Sequence, residues 1–364
     1  MSWPHALFTL VLVFVPVFDQ SRACCYGDEA SSSDPAKARA LAAQKAYERW
    51  ERQTFSGGGS LWGVYNWSRR WMEAESYLTS RQQRRLAAAE ANLARVEDLH
   101  RYILSEVAVG HMGVGSYLLA EFVTANARLF VLEAKGPRDP RSEQFDAATT
   151  RLATSRLLYD GWWREDEQQR LKGDGVSTAF EWSRDWFDAE LAMNTKSADR
   201  IASAEKYLER TKKLEKLVGE SFKLDKVPQL DVDEAAFFRA DAEFLLLKTK
   251  PDTKASQASA KAAKARLEAA KKVGEARLES FLNGKSNFEG VCNWSVTWRN
   301  AAMDVATTKD ERVNAAEDHL KRMQEVEKVL RQLVEARRTS EWYRWGAAYM
   351  VADAEIFLAE VRRK

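Results

Sequence analysis

"NWSRRWMEAE", residues 66–75, sets two tryptophans four apart, puts a serine after the first and closes on a carboxylate. The phrase returns as "EWSRDWFDAE" at 181–190 and as "NWSVTWRNAA" at 293–302. A glutamate follows the first tryptophan (Trp67, Trp182, Trp294) by 23 residues, at Glu90, Glu205 and Glu317. Leu93, Leu208 and Leu320 come next, then Arg95, Arg210 and Arg322. Thirty-five residues beyond each glutamate the chain reads "ANAR" (125–128), "ADAE" (240–243) and "ADAE" (352–355). A register held over 58 residues in three places is a tandem repeat.

Upstream of the tryptophans, Arg39, Arg151 and Arg266 align once the second copy is given three further residues. That slack falls where glycine collects: "SGGGS" at 56–60, "KGDG" at 172–175 and "NGKSNFEG" at 283–290. Glycine is costly inside a helix, so these are helix breaks. Each copy therefore divides into four helices, which in the first run over 36–55, 61–80, 82–107 and 114–135. The expected fold is all-α: three repeats spanning 36–135, 147–249 and 259–362, either an array of αα-hairpins or helical bundles in tandem. A weaker symmetry, helix–loop–helix and then Ala-Glu, divides each copy again and suggests six hairpins.

The tryptophan pairs Trp67/Trp71, Trp182/Trp186 and Trp294/Trp298 are i and i+4, so each pair shares one helix face. Ala74, Ala189 and Ala301 extend that face. The pairs are expected to be core, filling the volume among the four helices of their own repeat and touching Leu93, Leu208 and Leu320. The rings that do not fit this face are candidates for binding instead: Trp162, Trp163, Trp342, Tyr343 and Trp345, adjacent to one another or flanking loops. Ser68, Ser183 and Ser295 recur without a recurring histidine, which favours close packing over nucleophilic chemistry.

Residues 6–18, "ALFTLVLVFVPVF", are apolar but short for a bilayer span, and Ser21-Arg22-Ala23 follows. This reads as a signal peptide over 1–23 with a disordered linker over 24–35, and implies export to the periplasm or beyond. An uncleaved N-terminal anchor, or lipidation at Cys24, is the other reading of the same residues. Three cysteines (Cys24, Cys25, Cys292) make no disulfide framework and no metal-ligand spacing.

With 56 basic and 54 acidic residues the chain lacks the basic excess of a nucleic-acid binder. Residues 254–277 are locally basic and read as the solvated face of an Ala-rich helix, or as a peripheral contact with an anionic surface. No cofactor or metal motif is present, and no residues are nominated for catalysis.

At "YNWSRRWMEAE" and "AAEDHLKRMQEVE" the sequence resembles helical repeat regions of exported, uncharacterised bacterial proteins carrying a W-S-x-R-W-x-x-A-E phrase. The resemblance covers nearly all of 36–362 and implies a fold but no activity. Val296, Thr297 and Ala302 of the third copy depart from it. More distantly, a tyrosine, a glycine break and an Ala/Ser-rich helix ending in Ala-Glu look like hairpins of outer-membrane efflux proteins. The expected function is a non-enzymatic binding or scaffold protein of the bacterial cell envelope, with a protein or envelope polymer as partner. A coiled-coil-like component that self-assembles is the alternative.

Overall fold

The computed structural model describes residues 34–56, 60–136, 141–165, 175–250, 255–284, 287–340 and 342–364. The signal-peptide reading and Cys24 lie outside them. Every element among the described residues is an α-helix: α1 Pro35–Phe55, α2 Leu61–Tyr77, α3 Gln82–Ala108, α4 Val114–Lys135, α5 Arg141–Arg164, α6 Gly175–Met193, α7 Ser197–Lys223, α8 Gln229–Thr249, α9 Ala255–Leu282, α10 Phe288–Val305, α11 Lys309–Glu335 and α12 Trp342–Arg363. Helix α1 begins at Pro35, one residue before the expected start of the first repeat, with Asp34 capping it by accepting from the Ala36 N–H. The helices α5 and α9 likewise begin before 147 and 259.

Local chemistry sets the ends. Ser60 and Asn287 accept from Gly63 N and Gly290 N at the starts of α2 and α10, and Thr308 with Glu311 forms a capping box on α11. Gly284, at φ +70°, stops α9 in a conformation that glycine adopts without strain.

Burial sorts the helices into two layers. On α3 the buried residues Ala88, Ala89, Asn92, Val96, Leu99 and Ile103 form one stripe, and α11 repeats it with Ala316, His319, Met323, Val326 and Leu330. By contrast α4 buries every residue from Phe122 to Ala127, and α8 and α12 are buried around most of their circumference. Even-numbered helices thus form the inside and odd-numbered ones the outside of six αα-hairpins.

Each helix packs on its neighbour in sequence, and α12 packs along α1. The array is therefore a closed ring, which settles what the sequence left open between stacked hairpins and separate bundles. The recurring tryptophans show how it closes. Trp182 meets Phe122 at 5.4 Å between ring centroids, Trp294 meets Phe237 at 4.9 Å, and Trp67 meets Tyr349 at 5.5 Å, all edge to face. Each is the first tryptophan of one repeat against the fourth helix of the repeat before it, with repeat three preceding repeat one. The first tryptophans therefore pack across repeat boundaries as well as in clusters with the helices of their own repeat. Leu208 instead packs with Phe187 and Tyr207.

Ion pairs follow the same cyclic rule. Arg39 of α1 reaches Asp353 of α12 at 3.2 Å, and Arg266 of α9 bonds Asp241 of α8. At the remaining junction the α4 residue is Asn126, and Arg151 acts instead on Asp185 of α6. Burial pushes that carboxyl up to about 7 against the pull of Arg151.

Candidate functional site

The opening phrase builds a framework first. In each repeat the third-helix arginine donates to the serine: Arg95 Nε to Ser68 Oγ at 2.8 Å, Arg210 to Ser183 at 3.0 Å, Arg322 to Ser295 at 2.9 Å. The guanidinium then lies 3.9–4.1 Å from the ring centroid of the second tryptophan, Trp71, Trp186 or Trp298. Trp71 and Trp186 donate in turn to Glu75 and Glu190. Ala302 lacks that acceptor, and in this copy Trp298 sits instead against Gly274, where an added Cβ would come within 2.9 Å of the ring. Tyr47 and Tyr159 occupy the Gly274 register in the other repeats and pack on Trp71 and Trp186. The serines are thus hydrogen-bond acceptors that lock α2, α6 and α10 to the outer layer.

Ser295 also meets His319 Nδ1 at 2.9 Å, a pairing the sequence did not suggest, since Asn92 and Tyr207 stand at the same register. His319 is fully buried. Burial, with Arg299 and Arg322 nearby, lowers its pKa to about 3, so it stays neutral in the fold. An unfolded histidine titrates near 6.5. Below that pH the unfolded chain takes up a proton that the fold refuses, so stability is complete above about 6.5 and lost as pH falls toward 3. The loss by pH 4 should be about 3 kcal/mol. His319→Asn, the residue of the first repeat, is expected to flatten this acid limb in urea titrations between pH 4 and 8. Parallel limbs in the two proteins would remove His319 as the cause.

Inside this framework lies a cavity of about 420 Å³, lined chiefly by the N-terminal halves of α2, α6 and α10, one inner helix from each repeat. Its residues fall at equivalent positions. Five before the first tryptophan stand Trp62, Ser177 and Glu289; immediately before it stand Asn66, Glu181 and Asn293. Arg70, Thr178, Gly290, Trp182, Trp294, Leu119 and Arg277 complete most of the wall. The cavity therefore sits where the three repeats meet.

Its walls mix polar and aromatic side chains, several of them held in place by one another. The Arg70 guanidinium lies 4.6 Å from the Trp67 ring centroid and donates to Asn293 Oδ1 at 3.3 Å. Burial pushes the Glu289 carboxyl up, opposed by Arg70 and by the indole of Trp67. Glu234 of α8 is fully buried and accepts from Arg277 Nε at 2.8 Å and from the Ser177 hydroxyl. Trp62 and Trp182 meet edge to face at 5.7 Å.

The five rings singled out for binding do not come together. Trp162 is buried in the cluster of Tyr159, Phe180 and Leu214, with Trp163 half-buried against it under Lys213. Trp342 is buried in the cluster around Trp67 and stacks on Tyr343 at 3.7 Å, with Trp345 half-buried beside them. None of the five lines the axial cavity. They belong to helix α5 and the first turn of α12, where two adjacent rings divide between the centre and the edge of one packed cluster.

The basic run 254–277 is also not simply a solvated face. Arg266 and Arg277 turn inward onto Asp241 and Glu234, and Lys272 reaches Asp233 at 2.8 Å. The signal for Arg277 was present in the repeat register, where the other copies place Trp50 and Trp162. A charge at an aromatic position demands a partner, and Glu234 stands where the other copies have Leu119 and Gly346.

No family model matches the chain, and no curated protein matches it. A solved structure described as "Computational Design of Self-Assembling Cyclic Protein Homooligomers" aligns with 90% of this chain and 96% of its own, at 13% identity and a TM-score of 0.17. A score that low bears on neither the fold nor the assembly of this protein.

Proposed function

We propose that the protein is a non-enzymatic binding protein of the bacterial cell envelope that holds a small polar ligand in the axial cavity. The observation carrying this reading is the contrast between two sets of repeat positions. Trp, Ser, Trp and Arg of the framework are the same in all three copies, because each copy meets the same packing demand. Of the positions that face the cavity, Trp62/Ser177/Glu289 differ in size and charge although their place in the ring is equivalent, and Glu181 stands where the other two copies have Asn66 and Asn293. One ligand on the axis asks something different of each wall, which suits a lining that pairs the same framework with different side chains. Export rests on the apolar run at 6–18 and Ser21-Arg22-Ala23. Against self-assembly through α1 or α12 stands the ring itself, in which these two helices pack on each other.

A thermal-shift screen of small polar compounds tests the reading, run on the native protein and on Asn66→Trp, which fills the cavity from α2. At least one class of compound should raise the melting temperature of the native protein and leave the variant unchanged. Equal shifts in both proteins, or none in either, overturn it.

A further inference from the structure

The wall chemistry narrows the ligand, an inference that rests on the axial cavity being the binding site. Arg70 is the first element. Arg184 of α6 and Arg266 of α9 lie on Asp241, and Arg277 of α9 lies on Glu234, whereas the buried Arg299 of α10 donates to Asn300 and sits over Phe357, closed off from the cavity lining. Among the described residues no carboxylate lies within ion-pairing distance of Arg70, although Glu289 on the same wall is near enough to feel its charge. Arg70 is held over Trp67 at 4.6 Å, with Asn293 as its hydrogen-bonded partner. A guanidinium has five N–H donors in a planar fork suited to a carboxylate. Fixed against an indole and turned to a cavity, it is preorganised for one.

The second element is the corner of Trp62 and Trp182, whose rings meet at 5.7 Å on a wall that also carries Glu181. Indole faces attract cations without accepting conventional hydrogen bonds. A primary ammonium carries three N–H groups that need acceptors, whereas an alkylated ammonium needs none. A corner of two indoles, on a wall with one carboxylate, therefore suits the alkylated cation better. The two elements lie on one helix: Trp62 and Arg70 are eight residues apart in α2, a rise of about 12 Å along its axis. Both side chains are long and half-buried, which shortens the gap but leaves it wider than the charge separation of an α-amino acid.

We propose that the axial cavity binds a zwitterion with a carboxylate on Arg70 and an alkylated ammonium in the Trp62–Trp182 corner, the two charges separated by several methylenes. Calorimetric titration of the full chain with trimethylammonio-carboxylates of increasing length tests this, with choline, butyrate and the unmethylated amino acids as controls. The four-carbon acid, 4-(trimethylammonio)butyrate, should bind at least about 10-fold tighter than trimethylglycine or any control.

Arg70→Gln should weaken the zwitterion by about 30-fold or more, the effect of unpairing a held carboxylate, and leave choline within about 3-fold. Trp62→Leu should weaken both. The second and third repeats carry Asp185 and Thr297 at the Arg70 register, so the fold accommodates other side chains there, and unchanged melting temperatures of the unliganded variants check that directly. Absence of binding by every trimethylammonio acid, equal binding of the unmethylated acids, or an Arg70→Gln variant with native affinity overturns the assignment. If another compound class then shifts the native protein but not Asn66→Trp, the cavity remains the binding site and the ligand class alone is wrong.

Discussion

Replacing Trp67 by alanine is expected to cost about 3–5 kcal/mol, the range for truncating a large buried aromatic, and to loosen the ring at its seam. Trp67 is fully buried. It joins the first repeat to the last, edge to face on Tyr349 and tight against Gly346, where an added Cβ would lie 3.3 Å from the ring. Its cluster draws on α1, α2, α10, α11 and α12 together. Trp182 holds the equivalent place but is half-buried and borders the cavity, so Trp182→Ala should cost less, about 2 kcal/mol. Urea unfolding of the two variants measures the difference. Hydrogen exchange gives a second readout, because opening the seam should expose the amides of α1 and α12 first. A Trp67→Ala loss below about 1 kcal/mol, or exchange that rises evenly around the ring, would show that the closure does not depend on this residue.

Glu234→Leu should be comparably severe, about 3–5 kcal/mol, because it leaves Arg277 in a largely buried site without its carboxylate. The repeats supply the compensating change. At the first junction the same two positions are Leu119 and Trp162, an apolar pair carried by helices α4 and α5, which also pack together. Glu234→Leu combined with Arg277→Trp should therefore recover most of the stability lost in the single variant, since a buried ion pair replaced by packed apolar groups is often neutral or better. A double-mutant cycle from urea midpoints reads this directly. Additive losses would mean that the two side chains are not coupled and that the asymmetry of the junction has another origin.

The sequence by itself determined the helices and their repetition. The tryptophan phrase, the glycine breaks and the caps at Asp34, Ser60 and Thr308 act within a turn or two of their own positions, so helix ends in the first copy fall within three residues of where the pattern puts them. The i, i+4 tryptophans also had to share a face, since helix geometry alone requires it. What that face would meet was decided by tertiary structure. Trp67, Trp182 and Trp294 pack on the preceding repeat because each hairpin turns relative to the last, and six turns of about 60° close a ring. No residue carries that angle; it is the sum of small displacements at every helix contact, and a slightly smaller one would leave α1 and α12 apart. The cavity exists only because the ring closes and brings Trp62, Arg70, Glu181 and Glu289 from three distant stretches of chain onto one axis. Glu234 and Arg277 were visible as departures from the repeat, but their pairing across α8 and α9 became legible only once those helices lay side by side.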